Sequence, residues 1–238
     1  MTQNSNKLLV EGHDDLFSVA GLMRHFVKWP DNKDEFPVWI EVGYGATNIL
    51  QKHYIPAMLK EANTKVLGVM LDADLDVKGR FESFRNLCVD FFPKIPKQLP
   101  ESGLIVNNDD GKRVGLWIMP DNVSKGAIEM FLKYLVPDTS DSEWQHAVKS
   151  TNEAKKLGCK YKDCHVDKAN LYSWLAWQDE PGQSPGKALT RKILDPNAPS
   201  AKPFVKWFMD LASADRPRHV ARVWALVVVR SRNLTRQN

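Results

Sequence analysis

The chain has 238 residues, of which 43% are apolar and 26% are charged, a composition that is typical of a folded globular protein and excludes extensive disorder. Three cysteines are too few for a disulfide framework and favour free thiols in a reducing compartment. The start of the chain has no apolar signal core, and the apolar run 223–229 is shorter than the roughly 20 residues of a membrane span. These features predict a cytoplasmic protein without a membrane partner.

The first 136 residues alternate between strand and helix patterns. Expected strands cover 7–11, 38–42, 65–71, 104–106 and 114–119. Expected helices cover 16–27, 48–61, 77–89 and 124–136. Thr47 is the expected cap of the second helix, and Pro56 predicts a kink or a late start within it. The run 65–71 is nearly all apolar, as a central parallel strand requires, and the polar turn ending at Gly111 predicts a hairpin. This alternation indicates an α/β fold with a mostly parallel sheet flanked by helices.

After residue 136 the strand pattern stops. Expected helices cover 141–157, 167–177, 187–194 and 202–214. The chain is therefore divided into an α/β domain at 1–136, a helical subdomain at 137–215 and a basic tail at 216–238.

The tail at 216–238 holds six arginines and no acid, within a chain whose formal net charge is +4. Such a tail suits a polyanionic partner, and a solvated tail that keeps the protein soluble is the alternative. Its candidate nucleic-acid contacts are Arg216, Arg218 and Arg222.

Acidic residues follow three of the expected strands. Glu11 ends the first strand, Asp72, Asp74 and Asp76 follow the third, and Asp121 follows a later one. Because ligands bind beyond the carboxyl ends of parallel strands, we expect these side chains to converge at one edge of the sheet. Clustered carboxylates repel one another, and Mg²⁺, which takes oxygen ligands, removes that repulsion. The pattern favours a divalent-cation site over a solvated loop edge.

Two further acids, Asp14 and Asp15, begin the helix that follows the first strand, where acids complement the helix dipole. That role explains Asp14, whereas Asp15, four residues after Glu11, is interpreted as a metal ligand. Gly12 allows a sharp turn and a close approach of substrate. His13 is interpreted as an exposed loop histidine, with a base or a phosphate contact as the alternative.

Two segments resemble the signatures of the TOPRIM domain. They are V-E-G-H-D-D after the first strand and L-D-A-D-L-D after the long apolar strand. That domain is shared by topoisomerases, bacterial primases, overcoming-lysogenization-defect (OLD) nucleases and small ribosomal-RNA maturation nucleases. The later segment G-L-W-I-M-P-D-N…G-A-I-E-M-F resembles DUF3226, a TOPRIM-like family. The resemblance covers residues 7–136 and implies a TOPRIM-like, Rossmann-like fold.

The resemblance implies a role for each matching residue. Glu11 resembles the family's glutamate, a metal ligand or general acid/base, and Asp72 and Asp74 resemble its paired metal ligands. Asp15 matches the second acid of OLD-type nucleases. Glu129 resembles a further acid that helps to hold a second metal, with an exposed helix residue as the equal alternative.

Mg²⁺ is the implied cofactor, and Mn²⁺ also suits these ligands. Asp76 extends the paired motif and is a substitute ligand for Asp74. Lys125 is a candidate phosphate contact, although a plain surface lysine explains it as well. No topoisomerase tyrosine, primase zinc region or Walker A motif accompanies these residues. The resemblance therefore implies a stand-alone nuclease, or a subunit that acts with a partner ATPase or as a homo-oligomer.

Other patterns are weaker. Gly43 and Gly45 precede a helix and either hold a phosphate or form a tight turn. Residues 159–165 contain two cysteines and a histidine, which is one ligand short of a structural zinc site. The tryptophans of the helical part that are interpreted as core rather than as base-stacking platforms are Trp174, Trp177 and Trp207.

The leading hypothesis is a Mg²⁺-dependent TOPRIM-type nuclease acting on DNA or RNA, as a phage-defence or toxin-like component. The alternative is a non-catalytic nucleic-acid-binding or regulatory subunit that works with a partner protein. A third option, a response-regulator-like domain with an acidic Mg²⁺ pocket, lacks a suitably placed lysine and threonine.

Overall fold

The fold is given by a computed structural model, which describes residues 4–213. The strands are β1 (Asn6–Val10), β2 (Trp39–Val42), β3 (Val66–Asp72), β4 (Leu104–Asn107) and β5 (Arg113–Met119). They form one five-stranded sheet in the order β2-β1-β3-β5-β4.

Nine α-helices accompany the sheet within this part of the chain. They are α1 (His13–Met23), α2 (Ala46–Ile49), α3 (Tyr54–Lys60), α4 (Val77–Cys88), α5 (Ile128–Lys133), α6 (Asp141–Lys156), α7 (Val166–Leu175), α8 (Pro185–Thr190) and α9 (Lys202–Ala212). In the described residues, none of these helices has the length and apolar character that crossing a bilayer requires.

The sheet is mostly parallel. β2, β1, β3 and β5 run in the same direction, and β4 runs antiparallel to β5 at one edge. The α/β class predicted from alternation is therefore confirmed. The predicted hairpin is confirmed as well: it is formed by β4 and β5, and its turn includes Gly111. Because the four parallel strands end at the same edge, the acidic segments that follow β1 and β3 meet there.

Alternate strand residues pack on opposite faces of the sheet. One hydrophobic cluster contains Leu8, Met70 and Trp117 together with side chains of α1 and α5–α9. The other contains Leu9 and Val69 together with side chains of α3 and α4. The helices after residue 136 thus share a core with the sheet, and the domain boundary at that point stays a prediction.

Helix α9 lies close to the sheet because two glycines face it. Gly68 and Gly115 are paired across β3 and β5. A Cβ atom on either glycine would lie 2.4 or 2.6 Å from a methyl carbon of Leu211. Trp207 also donates a hydrogen bond from Nε1 to the carbonyl oxygen of Leu104 at 3.0 Å, so α9 is tied to the edge strand β4.

The tryptophans differ from one another in burial. Trp174 and Trp207 are fully buried, which confirms their assignment to the core. Trp177 is 48% exposed, so its assignment to the core is wrong. It lies beyond the end of α7 and packs against the ring of His146 at a centroid distance of 5.2 Å.

The helix expected over 48–61 is divided into α2 and α3. Its cap is Gly45, which has φ 97°, rather than Thr47, which lies inside α2. A positive φ of this size favours glycine and lets the chain turn sharply into the helix. Pro56 lies in the first turn of α3, where its missing N–H group leaves no helical hydrogen bond unmade.

The helix expected from residue 124 begins four residues later, at Ile128. Gly126, with φ 130°, exchanges backbone hydrogen bonds with Asp74 before the helix starts. This contact holds the chain extended and joins the segment to the loop after β3.

Candidate metal centre

Glu11 follows β1 and connects the ends of two neighbouring elements. Its Oε1 atom accepts a hydrogen bond from the amide of Asp72 at 2.8 Å. Its Oε2 atom accepts one from the amide of Ala46, in the first turn of α2, at 2.9 Å. The turn considered above for phosphate binding therefore contacts Glu11 twice, since the amide of Gly45 also donates to the main-chain carbonyl oxygen of Glu11 at 2.9 Å. The structure brings Glu11 and Asp72 together at the edge of the sheet.

Asp15 lies in the first turn of α1 and is 6% exposed. Its Oδ2 atom accepts a hydrogen bond from the amide of Gly12, the residue that precedes the helix, at 2.6 Å. This bond satisfies an amide at the start of α1, so Asp15 serves the helix as well as the acidic edge.

Asp72 is the last residue of β3 and faces the start of α5. Its Oδ1 atom accepts a hydrogen bond from the amide of Ile128 at 3.0 Å. Its carbonyl oxygen accepts one from Nε of Arg80 at 3.2 Å. The carboxylate is thus held between the ends of β1 and β3 and the beginning of α5.

The carboxylates oppose one another's ionisation. Burial raises the pKa of Asp15 to about 7, and the charges of Glu11 and Glu129 add to the increase. Burial, followed by the charges of Asp15 and Glu11, raises the pKa of Asp72 well above its ordinary range. Burial also raises the pKa of Glu11, although its two backbone hydrogen bonds oppose the shift. A divalent cation would relieve the repulsion among these groups.

The other two acids of the segment after β3 are bound to groups outside the buried acidic cluster. Asp74 has φ 50°, and its Oδ2 atom is 2.5 Å from Nη2 of Arg80. Asp76 caps α4, with Oδ1 accepting a hydrogen bond from the amide of Gly79 at 2.8 Å. Asp72 therefore faces the buried acids while Asp74 pairs with an arginine, and metal coordination by Asp74 and Asp76 stays a prediction.

A lysine from α7 enters the acidic edge. Nζ of Lys168 lies 2.7 Å from Oδ2 of Asp14 and 3.7 Å from Oε1 of Glu129. The hydroxyl of Tyr172 is 3.3 Å from the same Asp14 oxygen. Although burial lowers the pKa of Lys168, its hydrogen bond with Asp14 and the negative charges nearby raise it above its ordinary value. Asp14 is thus both a first-turn acid of α1 and an ion-pair partner.

The donor atoms of the edge fit Mg²⁺ in chemical type, because all of them are carboxylate oxygens. Their positions do not match those of a formed metal site, because within residues 4–213 no three His, Cys, Asp or Glu side chains converge as metal ligands. The oxygens of Glu11, Asp15 and Asp72 accept main-chain hydrogen bonds instead. Binding of a cation would therefore require these side chains to exchange some of those bonds.

Three further candidate residues, Lys125, His13 and Asp121, lie in turns or at a helix start. Lys125 is exposed in the turn before α5. His13 is exposed beside Tyr44, with 6.2 Å between the ring centroids. Asp121 accepts hydrogen bonds from the backbone of its own turn, at Ser124 and the preceding residue. These positions leave the phosphate-binding role of Lys125 a prediction.

Two candidate groups remain, the cysteines of residues 159–165 and the arginines after residue 215. Cys159 and Cys164 are exposed free thiols. Arg216, Arg218 and Arg222, the predicted nucleic-acid contacts, lie outside the described residues.

Two basic residues of the edge carried no recognisable sequence signal. Arg80 follows the paired acids on α4, and nothing in its spacing marks it as a partner of Asp74. Lys168 belongs to the helical part, 154 residues from its partner Asp14. Only the packing of α7 beside α5 reveals that the helical part contributes to the edge.

Comparison with known proteins identifies one family. The family model described as a protein of unknown function (DUF3226) matches residues 5–213. No curated protein and no solved structure gives a significant match. The matched range includes both the acidic edge and the helices that follow residue 136.

Proposed function

Since this chain belongs to the DUF3226 family, whose description names no activity, we propose from the chemistry of its acidic edge that it is a Mg²⁺-dependent TOPRIM-type nuclease. The proposed substrate is a phosphodiester bond of DNA or RNA, and the proposed setting is phage defence or a toxin-like activity in the cytoplasm. The observation that carries the proposal is the hydrogen bond between the Glu11 carboxylate and the amide of Asp72, two residues that lie 61 positions apart.

The position of the two acidic segments supports the TOPRIM assignment. They follow β1 and β3, which are neighbours and parallel in the sheet. A TOPRIM-type site requires its glutamate and its paired aspartates to meet in this way. Glu11 and Asp72 do so, with Asp15 buried beside them.

The residues proposed to hold the cation are Glu11, Asp15, Asp72 and Asp74, with Asp76 as a substitute and Glu129 as a helper. Mg²⁺ would supply polarisation of the phosphate and a lowered pKa for water. The chain itself holds the carboxylates in place through the amides at the starts of α1, α2 and α5. Lys125 and the arginines of 216–238 are proposed to bind the phosphate backbone.

Removal of the central carboxylates tests the proposal. We expect Glu11→Gln and Asp72→Asn to lower cleavage of DNA or RNA roughly 100-fold or more, because even residues that support metal ligands contribute 10–100-fold. Nucleic-acid binding is expected to persist. Cleavage is measured on single- and double-stranded oligonucleotides with Mg²⁺, with Mn²⁺ and with EDTA.

Asp109→Asn is the matched control, because Asp109 is an exposed acid of the β4–β5 hairpin. This variant should cleave as the unmodified protein does. Undiminished cleavage in both Glu11→Gln and Asp72→Asn would overturn the proposal.

A second function, a non-catalytic nucleic-acid-binding or regulatory subunit, is favoured by the ion pairs at the edge. Asp74 is paired with Arg80, and Asp14 with Lys168. A site whose acids are neutralised by its own side chains is stable without a cation. The same incubations distinguish the two functions: a regulatory subunit would bind nucleic acid without cleaving it under any metal condition, and would work with a partner ATPase or as a homo-oligomer.

A further inference from the structure

The acidic edge contains two groups of carboxylates. The inner group, Glu11, Asp15 and Asp72, is held by main-chain amides. The outer group, Asp14 and Glu129, contacts the ammonium of Lys168 at 2.7 and 3.7 Å. The two groups therefore differ in their contacts: the inner carboxylates accept hydrogen bonds from main-chain amides, and the outer ones contact the ammonium of a lysine.

Helix α7 holds Lys168 in this position. Lys168 and Tyr172 are one helical turn apart, and both contact the same oxygen of Asp14. Leu171 and Trp174, which are fully buried, anchor α7 to the core. The backbone of Lys168 is thus held by a packed helix, and its half-exposed side chain reaches the outer carboxylates.

A second divalent cation would need the carboxylates that Lys168 already contacts. Glu129 is the acid that the TOPRIM resemblance assigns to a second metal, and its side chain is only 14% exposed. A divalent ion bound there would lie next to the ammonium, and like charges at such a distance repel each other.

We propose that Lys168 takes the place of a second divalent cation, so that the edge binds one tightly held ion and the lysine neutralises Asp14 and Glu129. This inference rests on the proposed metal-dependent function, and it makes the helical part of the chain a component of the site. Lys168 acts as a positioning residue for the outer carboxylates.

Equilibrium binding of Mn²⁺ to the full-length protein tests this inference without any cleavage assay. The bound equivalents are counted by the loss of the electron paramagnetic resonance signal of free Mn²⁺. We expect one tightly bound Mn²⁺ in the unmodified protein and two in Lys168→Met, which keeps the length of the side chain but removes its charge. Lys168→Arg keeps the charge and should bind one.

Lys78→Met is the control for loss of a single positive charge near the edge, since Lys78 is 84% exposed in the first turn of α4, directly after the acidic segment. It should bind one ion. Thermal unfolding verifies that each variant is folded, and Lys168→Gln, which also removes the charge and is expected to bind two ions, replaces Lys168→Met if that variant does not fold.

The outcomes separate the two proposals. Two tightly bound ions in the unmodified protein, in Lys168→Arg, or in both, would overturn the role of Lys168 and leave the nuclease proposal standing. One ion in both the unmodified protein and Lys168→Met would do the same. Absence of Mn²⁺ binding in every variant would overturn the metal-dependent function itself, and the inference with it.

Discussion

Asp15 shows how a single side chain serves two purposes. Its carboxylate accepts the Gly12 amide at the start of α1, and it lies buried among other acids. The hydrogen bond stabilises the ionised form, whereas burial and the charges of Glu11 and Glu129 oppose it more strongly. The helix therefore begins with an acid that retains its proton to a much higher pH than an exposed aspartate does.

This raised pKa predicts how stability depends on pH in the absence of divalent cations. The pKa of Asp15 is 3.8 in a model compound and about 7 in the folded protein, so the folded state binds more protons between these values. The free energy of unfolding must then fall as the pH rises from about 4 to 7. Glu11 and Asp72 shift in the same direction and add to the fall.

Asp15→Asn removes the Asp15 contribution while keeping an oxygen that accepts the Gly12 amide. We expect the variant to lose less stability over this pH range and to be more stable than the unmodified protein at pH 7.5. Urea unfolding in EDTA, followed across the range, measures the difference. Parallel curves for the variant and the unmodified protein would contradict the raised pKa of the buried Asp15, and Asp109→Asn provides an exposed comparison.

At the residue scale, the sequence predicted the inner acids but not their neighbours. Glu11 and Asp72 could be expected to meet because both follow strands and parallel strands end together. Lys168 and Arg80 could not, because their positions depend on how helices pack, and no local pattern encodes the distance between α7 and α1.

Among the elements, α1 and α8 show a close approach that depends on glycine. A Cβ atom on Gly21 would lie 2.4 Å from the carbonyl oxygen of Gly186, and one on Gly186 would lie 2.4 Å from the carbonyl oxygen of Phe17. Both neighbours are backbone atoms, which cannot turn aside as a side chain can. The two helices therefore touch backbone to backbone.

Gly21→Ala should accordingly destabilise the protein. Alanine in a helix interior is favoured over glycine by about 1 kcal/mol, but overpacking at a rigid contact typically costs about 1–3 kcal/mol. We expect the second effect to prevail and the midpoint of thermal unfolding to decrease. Differential scanning calorimetry measures the change.

Gly79→Ala is the comparison for Gly21→Ala. Gly79 is also in a helix, but the atoms that a Cβ would meet belong to the exposed side chain of Asp76, which can rotate away and lose only its cap hydrogen bond. A smaller loss of stability is expected there. Equal losses in the two variants would show that the α1–α8 contact has no special cost.

Element boundaries were predicted less well than element types. The apolar run of β3 was long enough to be recognised as a central strand. The cap at Gly45 and the late start of α5 depend on backbone turns at Gly45 and Gly126, which are stabilised by contacts with Glu11 and Asp74. Contacts between distant residues of this kind do not appear in the spacing of apolar residues.

For the whole molecule, the helices after residue 136 pack on the face of the sheet that contains Leu8 and Trp117. The family match to residues 5–213 also extends across that point. The strand pattern ends before residue 136 as expected, and the helices beyond it share a core with the sheet, while the domain boundary at that point stays a prediction.

The basic tail gives a prediction for the complete chain. Replacement of Arg216, Arg218 and Arg222 by glutamine should weaken nucleic-acid binding and reduce its dependence on salt. If each arginine neutralises one phosphate of duplex DNA, the slope of log K against log salt should become shallower by up to about 2.7. Fluorescence anisotropy at several salt concentrations measures the slope.

A control with the same change of charge replaces three exposed lysines of the helical part by glutamine. They are Lys156, Lys160 and Lys162. A slope that changes equally in both triple variants would show that net charge, and not the tail, governs binding.

The packing of Leu211 against Gly68 and Gly115 also has a consequence for the protein while it is being translated. A ribosome that has translated residues 1–136 has made every strand of the sheet, but the helix that covers these glycines is encoded at 202–212. During that interval we expect one apolar face of the sheet to lack its covering helix, and a chaperone can bind to that face. Premature termination in this stretch should therefore yield aggregates rather than a smaller working protein.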